Sequence, residues 1–121
     1  MITELASKEK VIGVKQSTIT SQPETCAAFV RALVKALHTV QNDRAAAERV
    51  LSLEFPTLSE EGRKAALDRA YADQLWSLDG FISQAAVDTC MNVLTISGLL
   101  DSTWNYTDMV DMQFVEAFVT E

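Results

Sequence analysis

Residues 22–40 read QPETCAAFVRALVKALHTV, and their spacing sets the fold class. Ser21 stands just before them as a candidate helix cap, Pro23 suits a first helical turn, and Glu24 falls at the third helical position. That arrangement is a capping box, in which side chains satisfy the free backbone N–H groups of a helix start. From there Cys26, Phe29, Val30, Leu33, Leu37 and Val40 recur at helical spacing as a broad apolar stripe, while Arg31, Lys35 and His38 lie largely off it. The pattern predicts a helix over about 22–39 with that stripe turned to a core.

Working outward, residues 1–10 are polar and expected to fray. Val11, Ile12 and Val14 alternate loosely within a β-branched run, which predicts a short strand over about 10–16. Downstream, Asn42 can cap a second helix near 43–54 with Ala46, Val50, Leu51 and Leu53 as its apolar positions. Phe55-Pro56 ends it, because a residue before proline avoids the helical region. Thr57-Leu-Ser-Glu60 reads as another capping box, opening a helix over about 58–75 with Leu58, Ala65, Ala66, Ala70, Tyr71 and Leu75 inward. Residues 76–80, WSLDG, read as a turn, with Gly80 at positive φ. Ser83 caps a helix over about 83–97 whose core positions are Val87, Cys90, Met91 and Leu94. Gly98 ends it, with Leu99 and Leu100 folding back as the apolar contact of a C-cap. A helical turn over 107–110 and a last helix over about 112–119, capped by Asp111, complete the chain. The expected fold is mainly α, one N-terminal strand and five or six helices in a single domain. A lone strand needs a sheet to join, so the pattern points to part of a larger architecture.

Composition agrees with a packed helical protein: 48% apolar and 22% charged residues, four Gly and two Pro in 121 residues. The net charge of −7 is uneven. Residues 1–69 carry ten Lys/Arg and nine Asp/Glu, a net of +1, whereas residues 70–121 carry no Lys or Arg and eight acids. A long acidic half repels phosphate and argues against nucleic acid as a partner. It reads as a solvated face, or as a docking surface for a basic partner. Residues 1–10, MITELASKEK, carry charges where a signal peptide needs an apolar region. The chain as given is therefore expected to stay in the cytoplasm.

Chemistry-bearing constellations are sparse. His38, the one histidine, stands on the polar side of its helix without a nucleophile motif around it. Phosphate-cradling glycine loops and a nucleophile elbow are both missing from the sequence. Cys26 and Cys90 do not have metal-ligand spacing and read as buried thiols, or as a disulfide in an oxidising compartment. Asp108 and Asp111 are too few acids for calcium, so no metal or cofactor is expected. Trp76 and Trp104 are candidates for stacking on a ligand, because indole combines a flat apolar face with an N–H donor. Tyr106 is a further candidate, as is Tyr71; packing between helices is the plainer reading of all four.

Two stretches carry a resemblance. Residues 11–37, VIGVKQSTITSQPETCAAFVRALVKAL, with Gln22-Pro23-Glu24 and Phe29 to Leu37, resemble a strand-to-helix segment of the solute-binding proteins of ABC importers, of the nitrate/sulfonate/taurine and thiamine-precursor type. Residues 76–118 resemble that family's closing region through Trp76, Asp79, Gly80, Ile82, Ser83, Gly98, Leu99, Tyr106, Asp108, Val110, Asp111 and Phe114. The resemblance covers about residues 10–119, in order. It implies a partial lobe of a periplasmic-binding-protein-like α/β fold, from the carboxy-terminal part of such a protein. The matched positions are turns, caps and core, so it identifies a scaffold and does not locate a ligand.

For the parent, the resemblance implies transport, not catalysis. It implies a small anionic or heterocyclic solute, an ABC permease as partner, and a periplasmic or extracytoplasmic lipoprotein location. The first lobe's opening sequence, the second lobe and the leader have no counterpart here, so the cleft is expected to be incomplete. Two other readings remain: an autonomous helical interaction module, and a remnant of a thiamine-precursor biosynthesis protein. An unpaired strand edge invites another copy, so a homodimer is expected through residues 10–17 or through exposed apolar faces.

Overall fold

The computed structural model describes residues 11–119 and is mainly helical. In chain order the helices are α1 (Gln16–Ser21), α2 (Pro23–Asn42), α3 (Arg44–Glu54), α4 (Glu60–Ala72), α5 (Gln84–Ile96), α6 (Tyr106–Met109) and α7 (Gln113–Val119). Helix α2 is the axis of the structure: α1, α3 and α7 pack on it, α4 packs on α3, and α6 on α5.

The expected strand does not form. Residues 11–15 have no regular structure, Gln16 and Ser17 are already helical, and no described residue belongs to a strand. Lys10 and the expected frayed end lie outside the described residues. A β-branched run becomes a strand only when a neighbour supplies ladder partners, and none of the described residues does. Val11, Ile12 and Val14 are instead 62%, 57% and 52% exposed. The α/β half of the expected lobe is therefore not seen, and neither is a pairing edge over 11–17.

Most helix boundaries shift by one to three residues, and at the starts of α3 and α4 a different side chain does the capping. Ser21 ends α1, and Gln22 precedes α2 without a side-chain cap, so only Pro23 remains of that expected signal. Asp43, not Asn42, caps α3, accepting from Ala46 N at 2.9 Å. Ser59, not Thr57, caps α4, accepting from Gly62 N at 3.1 Å. Ser83 caps α5 as expected, accepting from Ala86 N at 3.2 Å. Asp111 accepts from Gln113 N at 3.1 Å and so serves the start of α7.

Helix ends also follow local chemistry. Helix α5 closes in a Schellman turn at Gly98 (φ 72°), with Leu99 N donating to Leu94 O at 3.0 Å. Leu99 itself is 74% exposed, so the apolar contact expected of it is not made. Helix α4 ends the same way at Gln74, whose φ of 49° is unusual for a side-chain-bearing residue.

The buried core among the described residues consists of Val34, Ala47, Leu67, Met91 and Val115. Its centre is the turn after α4. Gly80 (φ 84°) lies so close to α2 and α7 that a Cβ there would sit 3.1 Å from Val34 Cγ2 and 3.9 Å from both Val115 γ-methyls. The expected stripe of α2 is thus split. Cys26, Val30, Leu37 and Val40 are half-buried, Val34 replaces them as the deepest position, and Phe29 and Leu33 face out. On α3, Ala47 is buried while Val50 and Leu53 are exposed; on α4, Leu67 is buried while Ala65 and Ala66 are exposed, and Leu58 and Leu75, which fall outside the helix, are exposed too. Only α5 keeps its expected face, with Met91 buried and Val87, Cys90 and Leu94 half-buried.

Candidate functional site

The aromatic residues singled out as ligand contacts are mostly occupied in holding the helices together. The last carbonyls of a helix lack intrahelical donors. At the end of α2, Thr39 O receives Asp43 N at 2.8 Å, and Val40 O receives the hydroxyl of Tyr71 from α4. Trp76, half-buried, meets the Tyr71 ring edge to face at 5.4 Å between centroids. Gln41 Nε2 donates to Ser77 O at 3.3 Å, so α2 also holds the turn that follows Trp76.

That turn is organised by its own side chains. Gly80 N donates to Ser77 Oγ at 2.9 Å, and Phe81 N donates to Asp79 Oδ1 at 2.9 Å. Two residues on, Ile82 O receives the Tyr106 hydroxyl at 2.6 Å, which ties α6 to the start of α5. Tyr106 is therefore a brace whose hydroxyl is already engaged. Trp104, 56% exposed, is the one candidate whose ring is largely open to solvent. Tyr71–Trp76 is the only ring pair among the described residues, so Trp104 and Tyr106 are not drawn into one stacking site with Trp76.

Sequence reading passed over Arg44. Its guanidinium bonds Glu48 at 3.0 Å and Asp68 at 2.7 Å, and lies 5.6 Å from the Tyr71 ring centroid. The Glu48 bond, then the Asp68 bond, raise its pKa, so it stays protonated. Asp68 and Tyr71 lie far along the chain, so only the fold reveals this cluster. At the start of α4, the Lys64 ammonium 2.6 Å away holds the Glu60 carboxyl below its usual range, and Glu60 raises Lys64 in turn. Two open depressions flank this pair, lined by Ser59, Glu60, Glu61, Lys64 and the facing charges of α3. None of the candidate aromatics lines either one.

Asp108 accepts from Asn105 Nδ2 at 3.1 Å, and no cluster of three metal-ligating side chains occurs among the described residues. Cys26 and Cys90 are free and half-buried. No helix among the described residues is long and apolar enough to cross a membrane. No family model, no curated protein and no solved structure matches the chain.

Proposed function

We propose that these helices are the carboxy-terminal, helical portion of a solute-binding protein of an ABC importer, of the nitrate/sulfonate/taurine and thiamine-precursor type. In this reading the chain is non-catalytic and does not contain a complete ligand cleft. One observation supports it most. The two stretches that resemble the family, 11–37 and 76–118, meet in space where α7 and the Gly80 turn pack on α2, with Gly80 against Val34 and Val115. Separate matches that converge in three dimensions are what a shared scaffold gives. The thin core and the many exposed apolar side chains accord with a chain whose remaining lobe covers them in the parent. There the permease and a small anionic or heterocyclic solute are the partners.

The incomplete cleft has a direct test. Thermal unfolding is followed with nitrate, taurine, alkyl sulfonates and pyrimidines, since a ligand that binds the folded state raises its stability once its concentration well exceeds Kd. No shift is expected with any of them. A saturable shift with one would contradict the incomplete site.

A further inference from the structure

We infer that Met112 is a site of oxidative modification and that its thioether is a latch: a peroxide that converts it to the sulfoxide releases α7 from the core. The sulfur sits where three parts of the fold meet. Ile82 N donates to Met112 Sδ at 3.5 Å, while Ile82 O receives the Tyr106 hydroxyl at 2.6 Å. Both backbone groups of Ile82 are thus held by side chains of the carboxy-terminal segment. Ile82 lies two residues past Gly80, which packs against Val34 and Val115. Met112 lies three residues before Val115, and its carbonyl accepts from Glu116 N at 2.9 Å, the bond that opens α7. The thioether therefore fixes the start of α7 against the Gly80 turn. Further along α7, Val115 is 5% exposed, and the Arg31 guanidinium of α2 lies 6.0 Å from the Phe118 ring centroid.

The chemistry of the step follows from the thioether. A sulfur lone pair attacks one peroxide oxygen, the S–O bond forms and the O–O bond breaks. The second oxygen leaves as hydroxide and takes a proton to become water. Sulfur loses two electrons and the peroxide gains them, so a flexible apolar side chain becomes a polar, chiral one.

Either epimer breaks the bond to Ile82. If the new oxygen takes the lone pair that faces Ile82 N, it falls between two atoms 3.5 Å apart. An N–H···O bond needs about 2.7 Å of that distance, which leaves about 0.8 Å, less than any covalent bond to sulfur spans. The side chain must then retreat, and the start of α7 with it. If the oxygen takes the other lone pair, sulfur becomes the positive end of the S–O dipole. A thioether is already a weak acceptor, and a positive sulfur repels the Ile82 N–H.

Met112 is singled out among the three described methionines. Met91 is 8% exposed, in the core on α5, and Met109 is 55% exposed at the end of α6. Met112 is half-buried, so a small peroxide reaches it, and it bonds a backbone group 30 residues away.

Hydrogen peroxide treatment of the full chain tests this. Peptide mass spectrometry locates each added oxygen, thermal unfolding reads stability, and hydrogen exchange reads the protection of residues 113–119. Oxygen on Met112 is expected to lower Tm by roughly 4–8 °C and to reduce the protection of α7. Methionine sulfoxide reductases are expected to restore both, since they act on the sulfoxide and not on oxidised Cys26 or Cys90. Met112→Leu, close in volume, is expected to lose no Tm on the same treatment, and Met109→Leu to lose as much as wild type. A chain whose Met112 is fully oxidised but keeps its Tm and its α7 protection would overturn the inference. So would a loss that persists after the reductases have removed that oxygen, an equal loss in Met112→Leu, or a Met112 that resists peroxide until the chain unfolds. The reductase comparison needs only wild type, so the test stands even where Met112→Leu does not fold. The inference is independent of the importer reading.

Discussion

Replacing Gly80 by alanine probes the contact on which the fold turns. Two costs add. Gly80 has φ 84°, and left-handed backbone costs a residue with a Cβ about 1–2 kcal/mol. The new methyl would also lie 3.1 Å from Val34 Cγ2, and Val34 is 1% exposed, so the valine has little room to move. Overpacking of that kind costs about 1–3 kcal/mol. The smaller entropy of the unfolded alanine chain offsets about 0.4–1 kcal/mol, leaving a net loss of about 2–4 kcal/mol. For a chain of this size that lowers Tm by roughly 8–15 °C. Gly98→Ala is the matched control, because Gly98 shares the positive φ (72°) but has nothing within 4 Å of its built Cβ. It is expected to lose only about 1 kcal/mol. Thermal and urea unfolding at one protein concentration give both numbers. Equal losses for the two variants would refute the close packing of Gly80 on Val34 and Val115.

Gln74→Gly is expected to act in the opposite direction, raising stability by about 0.5–1 kcal/mol in urea unfolding, because Gln74 has a φ of 49° that glycine adopts without strain. Tyr71→Phe removes the donor to the Val40 carbonyl at the end of α2 and is expected to cost about 1–2 kcal/mol, read from the urea midpoint. Glu60→Gln tests the Lys64 pair through pH. The folded carboxyl titrates below its unfolded value, so its contribution is present above that value, about 4.3, and is lost as pH falls through the folded one. The gap in Tm between wild type and Glu60→Gln is therefore expected at neutral pH and should close in acid; a gap that widens in acid would contradict the pairing.

What the sequence discloses about this fold is what local chemistry decides. Ser83, Gly80 and Gly98 each do what their residue types require within a few positions, and the face of α5 is right because Val87, Cys90, Met91 and Leu94 form its narrow stripe. Helix α2 misleads for a physical reason. It is apolar around a broad continuous arc, and periodicity does not tell which part of that arc α7 and the Gly80 turn will cover, so the expected stripe includes Phe29 and Leu33 and leaves out Val34. Leu67 is hidden among alanines and charges that give α4 little contrast between faces. The strand over 10–16 was a local preference whose fulfilment depends on a distant partner. Among the candidate aromatics, the sequence marks Trp76, Trp104 and Tyr106 as rings worth finding. It does not show that Tyr71 meets Trp76, or that Arg44 lies over Tyr71, because those contacts join separate helices.

The importer reading has one decisive measurement. In a taurine-binding protein of the family, the segment from the position that matches Gln22-Pro23-Glu24 to its closing short helix is replaced by residues 22–119 of this chain, and taurine affinity is measured calorimetrically. A second chimera built with the same segment from another taurine binder is the control. The first chimera is expected to fold as a monomer. Its Kd is expected within about tenfold of the parent's, a difference of about 1.4 kcal/mol. A chimera that fails to fold or to bind taurine, beside a control that does both, would contradict the account.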